Sequence, residues 1–187
     1  MELQKQVTEL YRLEGYDFTA VPGHEGGRNG IFVCRKDGEN RYILRVSGLG
    51  DRTEEDYLAE TEFVHWLAQN GAPVADVIPS VNGRLVECPE DEREKKYVSL
   101  FAYAKGMLLC DNGYRYRDGA PLEEYFYNTG KALGALHRFS KQYKPVHRRA
   151  DFFDQYNMDY IGRLIPDDYA DLKQAIARRL EAYRTLP

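Results

Sequence analysis

Two oppositely charged residues sit where apolar neighbours predominate. Arg45 lies within Tyr42-Ile43-Leu44-Arg45-Val46, and Glu60 lies in a stretch that also carries Tyr57, Leu58, Phe63, Val64, Trp66 and Leu67. Charged side chains bordering a core are seldom tolerated unless they are paired. If these two pair, they hold a fixed cation beside a polar ligand. Upstream, Pro22 to Gly30 reads PGHEGGRNG, with glycines at 23, 26, 27 and 30. A loop of that composition can present backbone N–H groups to phosphate oxygens without side-chain obstruction, and Asn29 can add a side-chain donor. Arg45 is permanently charged, so it can bind a phosphate but cannot serve as a base. Taken singly, each feature has an ordinary reading: Arg45 on an edge strand, Glu60 facing water, the glycines making a hairpin turn. Their order along the chain is more specific than any one of them.

The remaining candidates are ordinary. His137, in LGALHRF, reads as a packed, hydrogen-bonded residue, and Arg148 and Arg149 as surface charge. His24, His65 and His147 show no metal-ligand spacing. There is no G-x-S-x-G elbow and no G-x-x-x-x-G-K-[ST] loop, which removes the hydrolase and P-loop readings.

The elements that must position Arg45 and Glu60 follow from periodicity. A short helix carries Leu3, Val7, Leu10 and Tyr11 and stops near Gly15. Strands are expected over Asp17–Val21, over Gly30–Arg35 and, after the Asp37-Gly38 turn, through Arg45. The helix of Glu60 ends at Asn70-Gly71, with Pro73 beyond. Val77–Val81 and Arg84–Cys88 flank Asn82-Gly83, a second hairpin signal, and the charged run PEDEREKK reads as a solvated turn. Tyr97–Tyr103 is a strongly apolar strand. The sheet is thus expected to be largely antiparallel, with a helix inserted between its third and fourth strands. Beyond Gly106 comes a linker, then a helix over Leu122–Tyr143 with Phe126, Leu133, Leu136 and Phe139 among its apolar positions. Gly130 and Gly134 in that helix suit a close approach by another backbone. A partly buried connection spans Asp151–Tyr160. A last helix over Asp167–Tyr183 aligns Leu172, Ile176 and Leu180.

Composition bounds the rest. The 187 residues, 43% of them apolar and 13% aromatic, can bury a substantial core in one domain or two small lobes. A net charge of −4 argues against a general nucleic-acid binder. Three widely spaced cysteines suit neither a disulfide framework nor a metal cluster, so a reducing cytoplasm is the default. No apolar run reaches the roughly 20 residues a membrane span needs.

With these features in order, AETEFVHWLAQNGAPVADVIPSVNGRLVE resembles the corresponding part of the aminoglycoside phosphotransferase / choline-kinase-like family. So do YILRVS before it, and SLFAYAKG and GKALGALHRFSK after it. The resemblance runs from Gly15 onward. It implies an α+β fold: a kinase-like N-lobe over residues 1–104, built on a five-stranded antiparallel sheet with an inserted helix. Residues 105–187 would then hold a linker and the first helices of an incomplete, mostly helical C-lobe. It also implies ATP and Mg²⁺ as ligands, and transfer of the γ-phosphoryl to a hydroxyl of a small molecule such as an aminoglycoside or amino sugar. Gly26, Gly27 and Asn29 match the family's nucleotide loop. Arg45 matches its Lys-or-Arg position, and Glu60 the carboxylate that orients that cation. Phe101 falls at the back of the adenine pocket, with Ala102 and Ala104 at the hinge.

The resemblance has one gap. The family's His-Gly-Asp-x-x-x-x-Asn loop and its later metal-binding Asp have no counterpart here, so no catalytic and no metal-ligating residue is assigned. The chain reads as truncated before its chemistry begins, binding nucleotide but inactive alone, with Mg²⁺ expected only for the complete enzyme. Uncovered C-lobe helices would favour self-association. A non-catalytic kinase-like binding or interaction module is the competing reading from another class.

Overall fold

The computed structural model describes residues 2–23, 29–48, 52–89, 95–107, 109–117, 120–149 and 157–185. Helix α1 (Glu2–Tyr11) leads into strands β1 (Asp17–Ala20), β2 (Asn29–Lys36) and β3 (Glu39–Ser47). Helix α2 (Glu54–Gln69) follows, then β4 (Val77–Ile78) and β5 (Tyr97–Ala102). The five strands form one antiparallel sheet in the order β1-β2-β3-β5-β4, with α2 inserted between β3 and β4. This is the expected α+β architecture. The turn between β2 and β3 uses positive φ at Asp37 (53°) and Gly38 (80°), the backbone that the Asp-Gly pair favours.

Side-chain alternation gives the sheet two different faces. On one, Cys34, Leu44, Val98 and Leu100 pack against Val7, Tyr11 and Leu13 from α1 and the turn after it. Arg45 and Ser99, partners in the β3–β5 register, alternate with Leu44 and Leu100 and so belong to the other face. Tyr57 of α2 packs there with Val86 and Tyr97, its ring 4.8 Å from that of Tyr97. Arg45 therefore stands on the central strand, not on an edge.

Helix α2 starts with a capping box in which Thr53 and Asp56 satisfy each other's backbone N–H groups. It ends at Asn70, with Gly71 at φ 80° just beyond. The segment after it departs from expectation. Asn82-Gly83 does make a tight turn, with Ser80 N–H donating to the Arg84 carbonyl at 2.9 Å, but the flanking residues do not form a paired hairpin. Only Val77 and Ile78 are strand, and Glu87 makes an isolated bridge to Val98 of β5. The reason is a buried carboxylate. Glu87 accepts from Ser80 Oγ at 2.6 Å and from Asn82 Nδ2 at 2.9 Å, so the chain wraps around it instead of forming a ladder. The PEDEREKK run lies mostly outside the described residues.

Helix α3 spans Leu122–Ser140 and buries none of its residues. His137 is exposed, which corrects its reading as a packed residue. A Cβ built on Gly130 or Gly134 meets nothing within 4 Å, so no described residue makes the close approach their spacing suggests. The chain divides into two compact units, residues 1–148 and 149–187. Contacts tie the segment after α3 to α2, within the first unit. Tyr143 packs on Phe63 and Trp66 at 4.9 and 5.4 Å, and His147 Nδ1 lies 2.7 Å from Glu62. The second unit contains α4 (Met158–Leu164), a 3-10 turn (Asp167–Tyr169) and α5 (Ala170–Arg184). Helix α4 occupies the end of the stretch expected to be a partly buried connection and the residues just after it. Within this unit, Lys173 holds Asp167 at 2.7 Å and keeps its carboxyl below the usual range.

Candidate functional site

Arg45 and Glu60 meet. Arg45 Nη1 lies 2.5 Å from Glu60 Oε1, with the two side chains 15% and 27% exposed. Strand β3 fixes the guanidinium by backbone pairing on both sides, to Ile31 of β2 and Ser99 of β5. The Arg45 guanidinium also lies 5.1 Å from the centre of the Phe101 ring, so one residue expected at the back of an adenine pocket borders the cation. Arg45 Nη2 is buried and has no hydrogen-bond partner. A buried donor left unmet costs about 1–3 kcal/mol, so this atom marks where an acceptor would be favoured.

The other oxygen of Glu60 lies 3.7 Å from Arg52 Nη1, giving one carboxylate two cationic neighbours. One strand over, Asn29 pairs with Ser47 in register and accepts from Ser47 Oγ at 2.6 Å. This fixes the Asn29 amide near the mouth of the glycine-rich segment, with Nδ2 as its donor. Gly30 is constrained by packing: a Cβ there would come within 3.3 Å of the Phe32 ring. Gly26 and Gly27 lie outside the described residues.

At the far end of β5, the Ala102 N–H donates to the Asp76 carbonyl at 2.8 Å, while Ala104 is exposed beyond the strand. Asp76 was not foreseen. Its carboxylate lies 2.7 Å from His65 Nδ1 and accepts from Gln69 Nε2 at 2.8 Å, which pins the C-terminal half of α2 to the strand end. At the other end of α2, Arg84 pairs with Glu54 and lies 3.7 Å from Glu87. Glu62 anchors the same helix to His147, and burial together with the Glu62 charge raises the pKa of Tyr143. Helix α2 is thus tied at both ends and on its outer face, and this holds Glu60 against Arg45. A polar residue recurring within an apolar helix, as at Glu62, His65 and Gln69, is the one trace such anchors leave in a sequence. Their partners, Asp76 and His147, carry no local signal, and neither does Arg84, the partner of Glu54.

Residues 20–187 match the model of the phosphotransferase enzyme family. The chain belongs to that family. Over 163 residues it is 25% identical to amicoumacin kinase of Bacillus subtilis (strain 168), covering 85% of this chain and 46% of that protein. A solved amicoumacin kinase, in complex with AMP-PNP, Ca²⁺ and amicoumacin, superposes with a TM-score of 0.70 at 20% identity, over 99% of this chain and 53% of its own. A microcompartment-associated aminopropanol kinase gives 0.61 at 19% identity, over 84% of this chain and 46% of its own. At these identities the superpositions speak to the fold, which is kinase-like, as the sequence led us to expect. The chain spans about half the length of the relatives it matches.

Proposed function

We propose that these residues form the nucleotide-binding part of an ATP-dependent phosphotransferase acting on a small hydroxylated molecule of the aminoglycoside or amino-sugar type. The Arg45–Glu60 pair carries the reading. A guanidinium is fixed on the central strand, oriented by a helix carboxylate, bordered by an aromatic ring, and left with one buried donor unmet. Arg45 would bind the phosphates and Glu60 would orient it, with the glycine segment and Asn29 offering further donors. Phe101 would wall the adenine. Because the Ala102 N–H is engaged by Asp76, a backbone donor to the base falls to Ala104.

Phosphoryl transfer rests on positioning and on charge neutralisation by metal ions, which Mg²⁺ supplies when bound. Among the described residues no three His, Cys, Asp or Glu side chains gather to hold a metal. The reading assigns no metal ligand among them, and their part in it is to hold and orient the nucleotide. The 187 residues also contain no His-Gly-Asp motif, so we propose that this chain alone binds nucleotide without transferring phosphate. That same observation favours the second reading, a kinase-like binding module. We also propose that the exposed apolar face of α3 supports self-association. The three free cysteines suit a reducing compartment such as the cytoplasm. Among the described residues no helix is long and apolar enough to cross a membrane.

Calorimetric titration of the purified chain with ATP, with and without Mg²⁺, tests the proposal. Saturable binding that depends little on Mg²⁺ and is lost in Arg45→Ala is the expected result. No binding to wild type would overturn it. Turnover on amino sugars would show that a catalytic carboxylate lies within these residues, Asp151 and Asp154 being the first to replace.

A further inference from the structure

Arg52 is out of place by the usual rules for helices. It stands one residue before the N-cap Thr53 of α2, where the helix dipole is positive and cations are disfavoured. The first turn otherwise follows the rule, with Glu54, Glu55 and Asp56. A local choice that opposes its surroundings points to a use elsewhere. Arg52 faces the free oxygen of Glu60 at 3.7 Å, too long for a hydrogen bond, and its side chain is 28% exposed. Arg45 is held differently: it sits 2.5 Å from the other oxygen, more deeply buried and against Phe101. Two guanidiniums share one carboxylate, so the three residues together carry a net charge of +1. The neighbouring acids Glu54 and Asp56 are engaged elsewhere, by Arg84 and by the Thr53 cap.

We propose that Arg52 is a second phosphate-binding cation of this site, resting loosely on Glu60 until an anion draws it away. The inference deepens the nucleotide-binding reading and partly rests on it. Arg45 cannot move far, because its strand, Glu60 and Phe101 fix it. Arg52 surrenders only a weak electrostatic contact when it turns, and a phosphate oxygen returns a charge-assisted hydrogen bond in exchange. Its departure also leaves Glu60 wholly to Arg45, so binding by the mobile cation sharpens the orientation of the fixed one. The buried, unmet Nη2 of Arg45 supplies the second donor toward the same anion.

The test is calorimetry at low salt on the 187-residue chain with ATP, adenosine and inorganic tripolyphosphate, comparing wild type, Arg52→Ala and Arg52→Lys. Arg52→Ala should weaken ATP and tripolyphosphate about tenfold and leave adenosine unchanged. Arg52→Lys should retain most of the affinity. The melting temperature of Arg52→Ala should not fall, since the change removes a cation from the wrong end of a helix. Unaltered ATP affinity, or equal losses for ATP and adenosine accompanied by a lower melting temperature, would overturn the proposal. The tripolyphosphate arm separates the two readings. Arg52-dependent binding of tripolyphosphate with no preference for ATP would sustain Arg52 as an anion ligand while the nucleotide reading fails. Binding of none of the three would end both.

Discussion

Glu60 acts less as a ligand than as the reason Arg45 points where it does. With the pair 15% and 27% exposed, its worth lies between the small value of a surface pair and the large penalty of breaking a buried one. Glu60→Ala should therefore destabilise the chain by about 1–3 kcal/mol in urea unfolding and weaken ATP binding as well. Glu60→Gln keeps the shape and a carbonyl acceptor, so it should recover much of the stability but less of the ATP affinity. Equal, negligible effects from both would mean that the pair does not orient Arg45. Cys34 tests the opposite face of the sheet. Burial pushes its thiol up from 9.0 to about 11. The unfolded chain then loses this proton first as pH rises. Stability from this group is thus fully present below pH 9 and is lost as pH climbs through 11, on the order of 2 kcal/mol in all. Burial also raises the pKa of Tyr11, which adds to the loss at still higher pH. Urea melts at pH 8.5 and 10.5 should show this fall, and Cys34→Ala, though less stable at both, should show a smaller one.

Where an element is set by its own residues, it was legible. The Asp37-Gly38 turn, the alternation of β2, β3 and β5 and the Asn70-Gly71 stop of α2 all appear where the pattern places them. The Arg45–Glu60 pair was legible for a related reason. A strand and the helix that follows it form one local unit, so a short span of sequence contains both partners. The segment 77–88 was not legible, because a side chain decides it. Glu87 is 5% exposed, and its bonds to Ser80 and Asn82 outweigh the ladder that Asn82-Gly83 suggests. Helix α4 escaped notice because seven residues are too few to show a stripe. The anchors of α2 escaped because distance along the chain hides them. Since Glu87 organises its segment and reaches α2 through Arg84, Glu87→Ala should leave Ser80 and Asn82 without their buried acceptor. A loss of about 2–3 kcal/mol is expected. Hydrogen exchange should then show weaker protection of the Val98 N–H, which donates to the Glu87 carbonyl at 2.8 Å. Protection lost uniformly across the sheet would count against a local role.

Helix α3 presents a different balance of forces. Leu122, Phe126 and Leu133 are 52%, 63% and 51% exposed, and Gly130 and Gly134 between and beside them face open space. Each is apolar surface that water would release if another surface covered it, at roughly 25 cal/mol per Å². The glycines also leave room for a partner's backbone to come close, while weakening the helix that carries them by about 0.8–1 kcal/mol each relative to alanine. A helix that accepts that loss while leaving these apolar residues exposed is poorly explained by the chain alone. The family's solved members extend well beyond the matched part, this chain covering 53% of the amicoumacin kinase structure. On the self-association proposed above, a second copy would serve as the cover. Light scattering should therefore report a mass that rises with concentration, and Phe126→Lys should shift that rise to higher concentration. ATP affinity should not change, because Phe126 has no part in the Arg45–Glu60 arrangement. A monomer at every concentration, with Phe126 still open to solvent, would mean that α3 tolerates its exposed face unaided.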